Sequence, residues 1–140
     1  MQYLFEWTPD ISVGDPVIDK QHQKLLNEVN VLLSNVFSDS KDAVIYEAVA
    51  FLSEYISEHL AYEEQYMAEH NYPEIEMHKA LHQGFMDQYE AFKKQLIAGA
   101  PKKELLMEIE QYIGNWWMHH IRVEDKKYAE FIRKHEKKIS

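Results

Sequence analysis

The fold is decided by residues 52–67, which have the sequence LSEYISEHLAYEEQYM. Apolar residues recur in this stretch every three or four positions, which is the pattern of an amphipathic helix with one face in a protein core. The same face carries His59 and, one helical turn later, Glu63. An ionised carboxylate in an apolar core costs free energy unless a partner compensates its charge. The stretch therefore predicts a helix that buries polar side chains for a purpose other than packing.

Further segments repeat this spacing, and glycine or proline residues separate most of them. We predict a first helix from near Pro16 or Asp19 to Phe37, a second from after Ser38-Asp39-Ser40 to about Asn71, a third from Ile75 to Gly99, a fourth that opens at Pro101, and a shorter segment from Lys126 to His135. No stretch of useful length alternates as a β-strand does. This pattern predicts an all-α fold, an up-down-up-down four-helix bundle with an N-terminal arm and a short C-terminal helix.

Two features lie outside this pattern. The arm contains Leu4, Phe5 and Trp7, which we expect to pack across the outside of the bundle. Gly84 and Gly114 fall in the middle of predicted helices, where glycine costs up to about 1 kcal/mol relative to alanine. Close helix packing would explain both glycines, and so would chance.

The composition bounds the kind of protein. With 140 residues, 46% of them hydrophobic, the chain suits one domain, residues 1–140, with a real core. A formal net charge of −9 argues against nucleic acid as a partner, since phosphate binding needs a basic face. The sequence has no cysteine, which excludes disulfides, iron–sulfur clusters and thiolate metal sites. We find no secretory signal and no run of about 18 apolar residues, so we expect a cytoplasmic protein without a membrane partner.

Histidine is the unusual residue type, with eight in the chain. Five of them occupy core-facing positions on the four predicted helices, and these are His22, His59, His78, His82 and His120. Any one of them alone would ordinarily be a core histidine with a hydrogen-bond partner. However, the pairs His59–Glu63 and His78–His82 each place two donors one turn apart on one helix face, as metal chelation requires. Together the residues predict a metal site.

The donor types narrow the choice of metal. Imidazole and carboxylate suit iron, zinc, manganese or copper, and the absence of thiolates argues against a structural zinc. Five histidines are too many for a single zinc, and a carboxylate such as Glu63 can bridge two ions, so we expect two metals. The remaining histidines have ordinary explanations. His70 lies at a helix C-terminus, His119 points about 100° away from His120 and faces outward or into a helix seam, and His135 is a surface or packing residue.

Four motifs in order resemble the hemerythrin family, in particular its single-domain bacterial members. They are Ile18-Asp19-Lys20-Gln21-His22, His59-Leu60-Ala61-Tyr62-Glu63-Glu64 followed by Met67 and Tyr72-Pro73, His78-Lys79-Ala80-Leu81-His82 followed by Phe85, and Trp116-Trp117-Met118-His119-His120-Ile121 followed by Asp125. Each motif is weak alone, but their order and separations match over nearly the whole chain. The family places an aspartate five positions after the last histidine, and only His120 satisfies this count. Trp117 departs from the pattern, because leucine is more usual there.

This resemblance implies reversible dioxygen binding at two non-haem iron ions, for oxygen storage, delivery or buffering. It implies that His78, His82 and His120 hold one iron and that His22 and His59 hold the other. Glu63 and Asp125 would bridge the two ions together with an oxo or hydroxo group. Two octahedral ions offer about twelve positions and this set fills about eleven, so one position stays open for dioxygen. We expect it on the iron with fewer histidines, behind an apolar wall formed by Met118 or, less favoured, Trp117.

Other functions remain open on the sequence. The same di-iron centre would also suit an oxygen or redox sensor that acts through a partner, or an enzyme that acts on peroxide or nitric oxide. Sensors of this family usually carry a fused signalling domain, which these 140 residues do not contain. The sequence also lacks the Glu-x-x-His pairs of di-iron oxygenases and ferritins. We therefore expect a monomeric oxygen-binding protein rather than an enzyme, with dioxygen as ligand and an oxygen-consuming enzyme as a candidate recipient.

The spacing between His120 and Asp125 makes one geometric prediction. Residues five apart on a regular α-helix differ by about 140° around the axis, at 3.6 residues per turn. Two such side chains do not reach the same pair of metals. We therefore predict a turn, a 3₁₀ stretch or a kink between Ile121 and Glu124, and an unbroken α-helix there would count against Asp125 as a ligand.

Overall fold

The structure is a computed structural model that describes the backbone of residues 5–139 and the side chains of residues 5–135. Leu4, which we expected to pack beside Phe5 and Trp7, lies outside the described residues. Within the described part of the chain there is no β-strand, and every helix is too short or too polar to span a lipid bilayer.

Four long helical stretches form the molecule. They are α1, Pro16–Phe37, α2, Asp42–Glu69, α3, Ile75–Ile97, and α4, residues 102–139. Helix α1 packs against α2 and α4, and α3 packs against α2 and α4, so the four helices form a closed ring. Their connections are only a few residues long, which makes neighbours antiparallel. The predicted all-α, up-down-up-down bundle is confirmed.

The helix boundaries follow from local chemistry. Asp15 caps α1, because its side chain accepts a hydrogen bond of 3.0 Å from the backbone N–H of Ile18. Asp39, Asn71 and Gly99 have φ angles of 54°, 56° and 82°, in the left-handed region that stops a helix from continuing. Asparagine, aspartate and glycine are the residues that adopt this conformation most readily. The predicted ends at Phe37, Asn71 and Gly99 lie within two residues of the observed ones.

Helix α4 is not uniform. Its α-helical parts, Lys102–Glu108, Asn115–His119 and Lys126–Ile139, are joined by π-helical turns at Ile109–Gly114 and His120–Asp125. The segment that we predicted as a separate short C-terminal helix therefore continues α4. The predicted irregularity after His120 is confirmed, but its form is a π-helical turn instead of a turn, a 3₁₀ stretch or a kink. Its i to i+5 hydrogen bonding widens the helix and brings residues five apart toward one face.

The arm is fixed to the bundle at Phe5. The backbone N–H of Phe5 donates to Asn30 Oδ1 at 2.8 Å, and Asn30 Nδ2 donates to the Phe5 carbonyl at 2.9 Å. The Phe5 ring lies over Gly114, where a β-carbon would overlap it. Gly114 is thus explained by close approach of the arm and not by helix packing, and nothing lies within 4 Å of the position of a β-carbon at Gly84.

Buried apolar side chains form two clusters. The larger one, which we call the apolar end, consists of Phe5, Ile11, Leu25, Leu26, Val29, Leu32, Leu33, Val36, Ile45, Val49, Leu52, Ile56, Leu60, Phe85, Tyr89, Phe92, Leu96, Leu105, Ile109, Ile113, Trp117 and Ile121. The smaller one, the small cluster, consists of Val13, Ile18, Met67, Tyr72, Tyr128 and Ile132. His22 lies between Ile18 and Leu25 on α1, where the two clusters meet.

Candidate metal centre

Seven polar side chains form one layer between the two apolar clusters. Each is at most 3% exposed, and they are His22, His59, Glu63, His78, His82, His120 and Asp125. Every helix contributes at least one of them, and the structure brings together all seven residues that the sequence analysis named. We call this set the polar layer.

Helix geometry explains how each pair converges. In α2 and α3 the spacing of four residues places His59 above Glu63 and His78 above His82. In α4 the π-helical turn brings His120 and Asp125 together, with 3.1 Å between His120 Nε2 and Asp125 Oδ1. Without this turn the two side chains would point about 140° apart.

The first group in the polar layer contains three histidines. The Nε2 atom of His120 lies 3.1 Å from the Nε2 atoms of both His78 and His82. Carboxylate oxygens complete this group, because Glu63 Oε1 lies 3.0 Å from His82 Nε2 and Asp125 Oδ1 lies 3.0 Å from His78 Nε2. Nitrogen lone pairs that face each other at this distance repel unless a proton or a cation lies between them.

The second group contains two histidines. Glu63 Oε2 lies 3.4 Å from His22 Nε2 and 3.5 Å from His59 Nε2, and Asp125 Oδ2 lies 3.1 Å from His22 Nε2. Each carboxylate therefore presents one oxygen to the three-histidine group and the other oxygen to the two-histidine group. This division is what a carboxylate that bridges two cations requires.

Hydrogen bonds outside the layer set the tautomers of two histidines. His82 Nδ1 lies 2.8 Å from Glu64 Oε2, and His59 Nδ1 lies 2.8 Å from Gln21 Oε1. Both partners are acceptor oxygens, so each Nδ1 carries the hydrogen and each Nε2 directs a lone pair into the layer. A ligand histidine of a metal site has this arrangement.

The metal fit is tested by unpaired buried atoms. Among residues 5–135, His22 Nε2, His59 Nε2 and both Asp125 oxygens are buried, and although neighbours in the layer lie 3.0–3.5 Å away, none of these four atoms makes a well-aligned hydrogen bond. Buried polar atoms without partners are rare in folded proteins because each one costs free energy. Two cations, one at each group, would compensate them, and both groups have the donor types and mutual distances of a metal site. The residues fit a pair of metal ions.

The charges of the layer are strongly coupled. Burial lowers the pKa of His22 and His120, but their contacts with Asp125 and Glu63 outweigh it and raise these pKa values to about 9 and about 10. Burial raises the pKa of Glu63 and Asp125, yet the surrounding histidines hold both below their ordinary values. Burial dominates at His59 and lowers its pKa. In the metal-free protein the layer therefore holds charged carboxylates and bound protons.

Three residues of the centre escaped the sequence analysis. The Tyr128 hydroxyl donates to Glu63 Oε2 at 3.0 Å, and Tyr128 lies in the segment from Lys126 to His135, which we predicted only as a short helix. Gln21 and Glu64 contact His59 and His82 from outside the layer. The signal for Gln21 and Glu64 was their position beside the ligand residues His22 and Glu63, but polar residues next to a buried one are common on any amphipathic helix.

The side chain that packs against His59 is not the one that we named first for the apolar wall of the open position. We named Met118 first and Trp117 second, but Trp117 is fully buried and its ring centroid lies 5.7 Å from that of His59, whereas Met118 is only half-buried. Because Trp117 precedes His120 by three residues, it lies on the same helix face. The structure therefore places Trp117, our second candidate, beside His59, and the role of Met118 in the wall stays a prediction.

The other histidines behave as ordinary residues. His119 and His135 are exposed. His70 follows the last residue of α2, and its Nδ1 atom lies 2.8 Å from the Tyr66 carbonyl, so it closes the helix end. None of the three belongs to either group of candidate metal ligands.

Comparison with known proteins agrees with this centre. Residues 13–132 match the family described as "Hemerythrin HHE cation binding domain". A bacteriohemerythrin of Stenotrophomonas maltophilia is 29% identical over 94% of this chain and 84% of its own length. A bacteriohemerythrin of Clostridium acetobutylicum is 28% identical over 91% of this chain and all of its own length. A hemerythrin-like protein of Naegleria gruberi is 29% identical over 89% of this chain and 90% of its own length.

Proposed function

The chain belongs to the hemerythrin HHE cation-binding family, and we propose that it binds dioxygen reversibly at a pair of non-haem irons. The observation that supports this proposal most is the division of the two carboxylates. Glu63 and Asp125 each present one oxygen to three histidines and the other to two histidines. Relatives named bacteriohemerythrin, which match over most of their length, support it further.

We assign the ligands as follows. His78, His82 and His120 would hold one iron, His22 and His59 would hold the other, and Glu63 and Asp125 would be shared by both, together with a solvent-derived oxo or hydroxo group. A pair of ferrous ions held there would supply the electrons for reversible dioxygen binding. The three-histidine group provides five protein donors and the two-histidine group provides four, so an open position for dioxygen would belong to the second group.

The surrounding side chains keep water away from the two-histidine group. Trp117 packs against His59 on one side and against Phe85, whose ring centroid lies 5.0 Å from its own, on the other. On the neighbouring three-histidine group, Trp116 stacks on His120, with ring centroids 4.5 Å apart and an angle of 11° between the rings. A dry, aromatic wall limits access of protons, which would otherwise favour irreversible oxidation of the irons.

The test is to load the metal-free protein with ferrous iron under anaerobic conditions and then to add dioxygen. We expect two irons per chain and an optical spectrum that appears with dioxygen and disappears under vacuum. One zinc and no iron, after expression with ample iron, would contradict the proposal. Rapid oxidation without a reversible spectrum would instead favour a sensor or an enzyme that acts on peroxide or nitric oxide.

Azide tests the location of the open position. We expect azide added to the oxidised protein to bind the iron held by His22 and His59, because that group has fewer protein donors. Crystals soaked in azide would show this directly. Azide on the iron held by His78, His82 and His120 would contradict the assignment.

The biological setting is part of the proposal. We propose that residues 1–140 act as one domain, as a monomer in the cytoplasm, and pass dioxygen to an oxygen-consuming enzyme without catalysing a reaction. Light scattering on the purified protein measures whether it is a monomer. A dimer at micromolar concentration would exclude the monomer.

A further inference from the structure

We propose that the two metal positions differ in affinity and that hydrogen bonds outside the polar layer widen the difference. The two-histidine position then fills second and empties first. Gln21, Glu64 and Tyr128 are the positioning residues, since each contacts a candidate ligand side chain and none belongs to either group of candidate ligands. This inference rests on the proposed function, because it concerns the same pair of metals.

The imidazole partners differ between the two groups. In the three-histidine group, His82 Nδ1 donates to the carboxylate of Glu64, whereas in the two-histidine group His59 Nδ1 donates to the neutral amide of Gln21, both at 2.8 Å. A charged acceptor draws the proton more strongly and makes the opposite nitrogen a better metal ligand. Among residues 5–135, His22 Nδ1 has no hydrogen-bond partner at all. His59 is thus a weaker nitrogen donor than its counterpart His82, and His22 has no outer partner among the described residues that strengthens it.

The shared carboxylate of Glu63 is unequal in the same direction. Tyr128 is fully buried, and its hydroxyl donates to Glu63 Oε2 at 3.0 Å. This oxygen is the one that faces His22 and His59. A hydrogen bond to a ligand oxygen withdraws electron density from it, so Oε2 binds a cation less strongly than Oε1 does. The outer hydrogen bonds and the smaller number of donors therefore all lower the metal affinity of the two-histidine position.

The wild-type protein gives the first test. Metal-free protein is titrated with Co²⁺, and we expect two steps whose dissociation constants differ by at least about tenfold, the lower end of effects that outer partners have on metal affinity. At one equivalent, proton NMR should show three paramagnetically shifted imidazole N–H signals, from His78, His82 and His120. Simultaneous binding of both ions, or two shifted signals at one equivalent, would overturn the inference.

Exchange of the outer partners gives the second test. Gln21→Glu should lower the dissociation constant of the second binding step about tenfold, and Glu64→Gln should raise that of the first step by about the same factor. Either change brings the dissociation constants of the two binding steps closer together. Controls make the same chemical change at exposed positions, Gln23→Glu on α1 and Glu54→Gln on α2. If the variants behave as their controls do, the inference is wrong.

The hydroxyl of Tyr128 is tested separately. Tyr128→Phe should tighten the second step several-fold and leave the first step unchanged, because only Glu63 Oε2 loses a hydrogen bond. Tyr72→Phe is the matched control, since it removes a hydroxyl that bonds to Glu74 in the same small cluster. A Tyr128→Phe variant that weakens both steps would contradict the inference. Failure of the wild-type protein to bind two ions at all would instead contradict the proposed function.

Discussion

The apolar end and the polar layer occupy equivalent positions on the same four helices but depend on different physics. On α2, Leu52 and Ile56 face the bundle axis in the apolar end, and His59 and Glu63 face it one and two turns later. Burial stabilises the first pair without any partner from outside the chain. The second pair costs free energy until cations compensate its charges and unpaired atoms. The bundle therefore combines a self-sufficient core with a layer whose charges need bound protons or cations.

The largest expected effect comes from removing the side chain that both metal groups share. Glu63→Ala deletes a donor of each group, so we expect the chain to change from two bound irons to none, with an affinity loss of at least about 100-fold, the upper end of the effects measured for outer partners alone. Metal analysis after anaerobic loading measures this. Glu58→Ala, an exposed position on the same helix, is the control. Retention of two irons in Glu63→Ala would show that the carboxylate does not bridge them.

The sequence predicted the polar layer because helical periodicity places each residue on a face. His59 and Glu63 continue the stripe of Leu52 and Ile56, so their burial followed from spacing alone. Asp125 did not follow in this way, since a regular helix would direct it away from His120. It was identified through the family resemblance, and the π-helical turn that the structure shows gives the physical reason.

Other features could not be predicted from the sequence because they depend on contacts between distant segments. The hydrogen bond from Tyr128 to Glu63 joins residues that are 65 positions apart. The close approach of Phe5 to Gly114 depends on where the arm crosses the bundle. The choice between Trp117 and Met118 for the wall depended on the rotation of α4, which two π-helical turns alter. Periodicity determines a helix face but not such details.

The second prediction concerns the apolar end. Leu52→Ala removes a fully buried side chain, so it should lower the free energy of unfolding by about 2–5 kcal/mol in metal-free and metal-loaded protein alike. Urea denaturation with and without metal measures both values. The bound iron should remain at two per chain. Loss of iron in this variant would show that the apolar end and the polar layer are not independent.

The third prediction compares the two glycines within helices. A β-carbon at Gly114 overlaps the Phe5 ring of the apolar end, so Gly114→Ala should destabilise the protein by about 1–3 kcal/mol. Gly84 is exposed and has free space around it, so Gly84→Ala should instead stabilise α3 by up to about 1 kcal/mol. Urea denaturation of the metal-free variants shows whether each substitution lowers or raises the free energy of unfolding. Equal effects at the two positions would contradict the packing of Phe5 over Gly114.

The smallest effect is the release of protons when metal binds to the polar layer. In the metal-free protein, contacts with Asp125 and Glu63 raise the pKa of His22 to about 9 and that of His120 to about 10. Both histidines therefore hold an extra proton near pH 7, and metal binding requires the Nε2 lone pair that this proton occupies. Metal affinity should consequently rise with pH up to about 10, the higher of the two pKa values, and binding should release at least about two protons per chain near pH 7, because the pKa of His78 is raised as well.

Calorimetric titration with Co²⁺ in buffers of different ionisation enthalpy counts these protons. The count should fall as the pH approaches about 9, because His22 then loses its proton before metal arrives. Leu52→Ala should release the same number as the wild-type protein, since the apolar end carries no titratable partner for these histidines, and His119→Gln should also leave the count unchanged because His119 is exposed. A proton count of zero near neutral pH would mean that the charges of the carboxylates are compensated in some other way. The polar layer would then hold no protons for metal to displace, and the proposed difference between this layer and the apolar end would be wrong.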